Sequence, residues 1–163
     1  MTEHAPAIFV ALEGSSFAAS IRQSAWAYMT ANVAHIASLF FFAGAIAVMD
    51  LRLSGALAAT SPGHVLKMSR RVALFAFAGL AASGFVLFAA EASHVVINPV
   101  FQVKAALIVT GLLNVAYFEW VLAPKVNKLK PLKPMPRDVR MAGFISVGLW
   151  LLVAICGRTI AYF

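Results

Sequence analysis

The amino-acid sequence predicts an all-α integral membrane protein, built as a four-helix bundle, and three observations lead to this prediction. Hydrophobic residues make up 62% of the 163 residues and charged residues only 12%, with a mean hydropathy of +0.87. Soluble domains contain about half apolar and about a quarter charged residues. Four apolar runs each approach the roughly 20 residues that a helix needs to cross the hydrocarbon core.

The segment 1–25 precedes the first apolar run and has the pattern of an amphipathic helix. Glu13 and Arg22 lie opposite a face of apolar residues, namely Ile8, Phe9, Leu12, Phe17 and Ile21. We predict an interfacial helix that lies flat in the outer headgroup layer, with a loose terminus as the alternative. Because no Lys or Arg precedes Arg22, we expect mature sequence rather than a secretory signal.

The bundle is predicted over residues 26–163, with spans at about 26–49, 72–92, 101–121 and 142–161. Each run must be helical, since an unpaired backbone group in lipid costs on the order of several kcal/mol. The runs do not alternate in polarity as the strands of a membrane barrel would. Trp26 and Tyr28 stand where an aromatic belt would anchor the first span. So little sequence remains outside the spans that we expect no separate soluble domain.

The connecting segments predict the orientation in the membrane. The segments 50–71 and 122–141 contain ten of the 13 Lys and Arg residues, whereas the connection EASHVVINP contains none. Basic residues in short loops stay on the cytoplasmic side. We therefore expect a bacterial inner-membrane protein with loops 50–71 and 122–141 in the cytoplasm and both termini in the periplasm.

Composition and motifs exclude several function classes. The net charge of +7 comes mainly from the two basic loops, so it does not form the basic and aromatic face of a nucleic-acid-binding protein. The single Cys156 has no partner for a disulfide or a multi-cysteine metal site. Nucleophile elbows, phosphate loops and zinc-protease pairs are absent from the sequence. The expected partners are the lipid bilayer and either a membrane-protein partner or further copies of the chain.

Polar residues inside the spans are the candidate functional groups, because an ionisable side chain in hydrocarbon is costly. His35 stands nine residues into the first span, about 13 Å below its outer end. Asn32 and Ser38 are spaced to share its helix face and orient the imidazole. His94 and Lys104 come from the connection and the third span at the same end of the bundle.

A haem b is the cofactor that this pattern favours, because its apolar macrocycle suits a bundle interior and its iron binds a His nitrogen. His35 is the expected first axial ligand and His94 a possible second ligand. Lys104 or Arg22 could neutralise the propionates. Two His ligands would suit electron transfer, whereas one ligand would leave an open position on the iron.

Two other interpretations stay open. Copper could bind if His35, His94 and Cys156 gathered on one side, although the six Met residues do not form pairs at helical spacing. Alternatively, the chain is a structural subunit without a cofactor, in which His35 bonds a backbone carbonyl and Lys104 extends to the interface. Glu91, Glu119 and Asp50 are expected to be structural, with Asp50 paired to Arg52 or another loop cation.

Three stretches resemble a broad group of small bacterial four-helix membrane proteins, over about residues 20–120. They are HIASLFFFAGAIAVMDLRLSG, RRVALFAFAGLAASGFVLF and NPVFQVKAALIVTGLLN. The Asp-Leu-Arg-Leu and Asn-Pro-x-Phe-x-x-Lys motifs are similar to those of an uncharacterised family. More distantly, the chain resembles the copper-resistance D-type membrane proteins and the membrane protoporphyrinogen oxidase of haem synthesis.

The resemblance to the oxidase family implies haem b. In that family the His of the first span binds the haem and a Lys of the third span is functionally important, which corresponds here to His35 and Lys104. The oxidases have a further His after their Arg-Leu pair, whereas this chain has Ser54 and Gly55. That departure argues against the oxidase activity itself.

Overall fold

The computed structural model describes residues 5–57, 59–126, 128–129 and 132–162, and it confirms the all-α class. The helices, in chain order, are α1 Ala7–Glu13, α2 Ser16–Gln23, α3 Ala25–Ser54, α4 Pro62–Ala90, α5 Ala92–Ile97, α6 Pro99–Tyr117, a π-helix Phe118–Leu122, α7 Ala123–Val126, α8 Arg137–Thr159 and a 3-10 turn Ile160–Tyr162. The part of the chain described contains no strand.

Four of these helical stretches are long and apolar enough to cross a membrane. They are Ala25–Ser54, Pro62–Ala90, Pro99–Val126 and Arg137–Tyr162. Each is longer than its predicted span, because a helix continues into the headgroup layer after its apolar run ends. The largest difference is in α4, which begins ten residues before the predicted 72, at a proline that favours the first helical position.

α3 is the central helix of the bundle. It packs along both α4 and α8, and α8 also packs along α6. α4 and α6 do not pack along each other over the described residues, and side chains join them instead. Phe88 stacks on Phe101 at one end, with ring centroids 5.4 Å apart, and Arg70 pairs with Glu119 at the other.

Trp150 of α8 fills the middle of the bundle. Its ring meets Phe42 of α3 edge-on, with centroids 4.7 Å apart, and Phe77 of α4 at 6.2 Å. A Cβ on Gly111 of α6 would lie 3.1 Å from the indole. The glycine therefore leaves the space in which the indole packs against the third span.

One end of the bundle carries the basic segments 50–71 and 122–141, and we call it the basic end. Its core contains side chains that are at most 2% exposed, namely Leu53, Leu66, Leu122, Val126 and Val139. The π-helix lies in this core, with Phe118 and Leu122 buried. The opposite end, which carries α1, α2 and α5, is called the terminal end.

Residues 5–23 form two short helices on the terminal end instead of one continuous helix. The break follows Gly14, where the Oγ of Ser15 accepts a hydrogen bond from the Ala18 N–H and caps α2. Phe9 of α1 packs edge-on against Phe88 of α4, and Glu13 accepts a hydrogen bond from the Ser93 N–H at 2.7 Å. These contacts join the segment to α4 and α5.

Candidate functional site

His35 lies half-buried on the face of α3 that packs against α4. Its Nδ1 is 3.0 Å from the Oγ of Ser83, and that hydroxyl donates its own hydrogen to the Gly79 carbonyl at 2.5 Å. A serine hydroxyl has one hydrogen to donate, so in this arrangement the Nδ1–H of His35 is the donor to Ser83. A neutral imidazole protonated on Nδ1 has its free lone pair on Nε2.

Small residues of α4 form the surface on which His35 and Ser38 rest. A Cβ on Gly84 would lie 3.2 Å from Cε1 of His35, and a Cβ on Gly79 would lie 2.5 Å from Oγ of Ser38. Larger side chains at these two positions would separate the helices, since small residues are what allow helices in lipid to approach closely. Gly84 therefore makes room for the imidazole and Gly79 for the Ser38 side chain.

Lys104 brings a cation to the same region from α6. Its side chain is half-buried, and a Cβ on Gly157 of α8 would lie 3.4 Å from its Nζ. The ammonium is within electrostatic range of His35 and of Cys156. Groups from α3, α4, α6 and α8 thus meet in the terminal half of the bundle.

The other predicted site residues lie away from the imidazole. His94 is exposed on α5, on the side of the Glu13 carboxylate. Asn32 is exposed and lines an open surface groove together with Arg22, whose Nη1 donates to the Ala90 carbonyl at 2.9 Å.

The orienting role predicted for Asn32 and Ser38 belongs to Ser83 in the structure. Residues three before and three after His35 are rotated by about 60° to either side of it on a helix. Asn32 therefore faces the groove and Ser38 faces Gly79. Ser83 belongs to a run of small residues in the second span, with Gly79 and Ala82, and such a run indicates close helix packing more often than a site.

A second polar cluster lies near the basic end, where Asp50 of α3 is 3% exposed. Neither carboxylate oxygen has a partner with the full geometry of a hydrogen bond within the described residues, although the Ser146 hydroxyl lies close to the carboxylate. The predicted pairing with Arg52 is wrong, because Nε and Nη2 of Arg52 both donate to the Thr60 carbonyl, at 3.2 and 3.1 Å. Residues two apart on a helix do not face each other.

Asp50 lines a small, partly open cavity of about 20 Å³ together with three other polar side chains, Asn114, Glu119 and Ser146. The Nδ2 of Asn114 donates to the Ala142 carbonyl at 3.2 Å, which leaves its Oδ1 as an acceptor. Oε1 of Glu119 is 2.8 Å from Nε of Arg70, a close ion pair that lacks the geometry of a hydrogen bond. The sequence did not indicate Asn114 and Ser146 as site residues, because each is a single polar residue in an apolar run.

Within the residues described, no group of three or more His, Cys, Asp or Glu side chains is arranged to hold a metal ion. A bare copper ion needs several protein ligands. A haem needs only one or two, because the porphyrin supplies the other four nitrogens. The donor set around His35, one imidazole and one cation, is compatible with haem and less suited to bare copper.

Comparison of the chain with protein-family models, curated proteins and solved structures gave no match. The resemblance to the copper-resistance and protoporphyrinogen oxidase families therefore stays a prediction from the sequence motifs.

Proposed function

We propose that the protein binds haem b through Nε2 of His35 and acts in electron transfer, as a redox subunit of a larger membrane complex. The observation that supports this proposal most directly is the hydrogen-bond chain from His35 through Ser83 to Gly79. It leaves the Nε2 lone pair free for a metal. Metal-binding histidines commonly donate their other N–H to an oxygen in this way.

The remaining groups of the site would have distinct roles. Ser83 holds the ring plane and the tautomer, and Gly84 lets the ring lie against α4. Lys104 supplies a positive charge for a propionate at the terminal half of the bundle. A bound haem would provide an iron centre that changes oxidation state by one electron. Because His94 lies on the side of Glu13, we propose His35 as the single axial ligand from this chain.

The helices near His35 differ in how closely they pack. α4 and α6 meet through side chains near their ends and do not pack along each other over the described residues. His35 rests on α4 and is within electrostatic range of Lys104 on α6. We infer that a flat cofactor on His35 would lie toward these two helices, because fewer backbone contacts would have to separate there than between α3 and α4.

We propose a bacterial inner-membrane location with both termini periplasmic. Lys67, Arg70 and Arg71 lie in the first three turns of α4 at the basic end, and retention of such residues in the cytoplasm supports this orientation. The lipid-facing side chains and the small soluble mass support a partner in the membrane, either another protein or a second copy of the chain.

The test is the absorption spectrum of the full chain, purified from membranes of cells supplied with a haem precursor, before and after reduction with dithionite. We expect a Soret band and an α band that sharpens on reduction. His35→Ala should lose both bands, and Ser83→Ala should keep the haem but shift its reduction potential. Metal analysis of the same sample should find iron and not copper.

Two histidines provide matched controls. His64, exposed at the basic end, and His94 are both outside the proposed coordination sphere, so His64→Ala and His94→Ala should keep the wild-type spectrum. Copper without haem bands would favour the copper alternative. A cofactor-free protein whose His35→Ala variant differs only in stability would favour the structural alternative and refute the proposal.

A further inference from the structure

The cavity beside Asp50 combines a buried acid with oxygen acceptors from separate helices. Asp50 comes from α3, Asn114 from α6, Ser146 from α8 and Glu119 from the π-helix. Gly143 of α8 lies beside the acid, since a Cβ there would be in ordinary van der Waals contact with Asp50 Oδ1, at 3.7 Å. With the Asn114 amide nitrogen engaged by Ala142, the groups left to face the cavity are acceptor oxygens and one hydroxyl.

Charge in this region is not balanced by the protein groups described. Glu119 is neutralised by Arg70, and the Arg52 guanidinium is turned to Thr60. An ionised Asp50 would therefore place an uncompensated negative charge on a residue that is only 3% exposed. Such a charge is strongly unfavourable unless a cation lies beside it or the carboxylate takes up a proton.

The size of the cavity limits what can occupy it. A volume of about 20 Å³ holds one particle of about the size of a water molecule. A water molecule would donate hydrogen bonds to the acceptor oxygens but would not neutralise the charge of an ionised Asp50. A small monovalent cation with a preference for oxygen ligands satisfies both requirements. The π-helix beside the cavity supports a functional role, because π-turns within α-helices are frequent at functional sites.

We propose that Asp50, Asn114 and Ser146, with Glu119 at the rim, bind one sodium ion between the helices at the basic end. The ion would link α3, α6 and α8, so its binding would stabilise the bundle. This site is separate from His35, and the proposal does not depend on a cofactor there. K⁺, which is larger, should fit the cavity less well than Na⁺.

Thermal unfolding of the purified full chain in detergent tests this proposal. NaCl, KCl and choline chloride are compared at the same ionic strength and pH, with tryptophan fluorescence as the signal. We expect Tm to rise with Na⁺ alone, by about 3–6 °C for each tenfold increase above the Kd. Asp50→Asn should abolish the rise, whereas Asp138→Asn should keep it, because Asp138 is an exposed acid paired with Lys125.

Retention of radioactive sodium by the native wild-type protein is the second measurement, and it does not require a folded variant. Bound sodium that unlabelled NaCl displaces and KCl does not displace would support the site. Equal Tm values in sodium and choline, with no retained sodium, would overturn it. Stabilisation that follows pH and ignores sodium would overturn it as well, since Asp50 would then carry a proton.

Discussion

Replacing Gly79 by alanine measures how closely α4 approaches α3 beside the histidine. The new Cβ would lie 2.5 Å from Oγ of Ser38 and 3.3 Å from its Cβ. Rotation of the hydroxyl relieves the first contact, but the second requires a shift of the helices. Overpacking of this kind costs about 1–3 kcal/mol, and alanine returns about 0.5–1 kcal/mol through its helix propensity. We expect a net destabilisation of about 0–2.5 kcal/mol.

Gly44→Ala is the matched control, because a Cβ at Gly44 on α3 would meet nothing within 4 Å. It should be neutral or stabilise the protein by up to about 1 kcal/mol. Ser38→Gly removes both contacts. In the double variant the cost of Gly79→Ala should therefore fall by about 0.5 kcal/mol or more.

The assay is reversible unfolding in mixed micelles, with the free energy of unfolding obtained for the wild type, the three single variants and the double variant. If Gly79→Ala is as stable as Gly44→Ala, then α3 and α4 do not approach each other closely at Gly79. Equal costs with and without Ser38→Gly would also contradict the reasoning, since they would show that Ser38 is not the obstacle.

Three further predictions concern other parts of the molecule. Trp150→Ala should lower the free energy of unfolding by about 3 kcal/mol through lost aromatic contacts and a cavity, whereas Trp120→Ala, 82% exposed to lipid, should change it little. The Ser93 hydroxyl, and to a smaller extent the Ser93 N–H, donate hydrogen bonds that lower the pKa of Glu13 from its ordinary 4.5. The stability that the ionised Glu13 contributes is therefore present above pH 4.5 and is lost as pH falls through the lowered pKa. Thermal scans across that range should show the loss in the wild type and not in Glu13→Gln. A reporter that fluoresces only in the cytoplasm should stay dark at the C-terminus and fluoresce when inserted at residues 127–136, and the reverse pattern would contradict the proposed orientation.

The four spans were predictable because apolar length is a strong signal in a chain that must satisfy its backbone in lipid. The ends of the helices were not predictable from apolar length, since polar residues such as Lys67 can continue a helix beyond the hydrocarbon. The start of α4 at Pro62 was predictable as well, because proline favours the first helical turn.

The candidate site was predictable in part. His35 and Lys104 were identified as costly intramembrane groups, and the structure brings them within electrostatic range. Their neighbours depend on helix rotation and offset, which no single segment encodes, so Ser83 was missed. Asp50 was predicted to form an ion pair with Arg52 because the two residues are close in sequence, but the helix turns their side chains in different directions.

The π-helix also explains how the third span stays attached at the basic end. Phe118, Leu122 and Val126 recur every fourth residue, and each is at most 4% exposed. On a regular α-helix of 3.6 residues per turn such a series gradually winds away from one side, but a widened turn reduces that drift. Shortening this stretch by one residue would therefore rotate Val126 toward lipid.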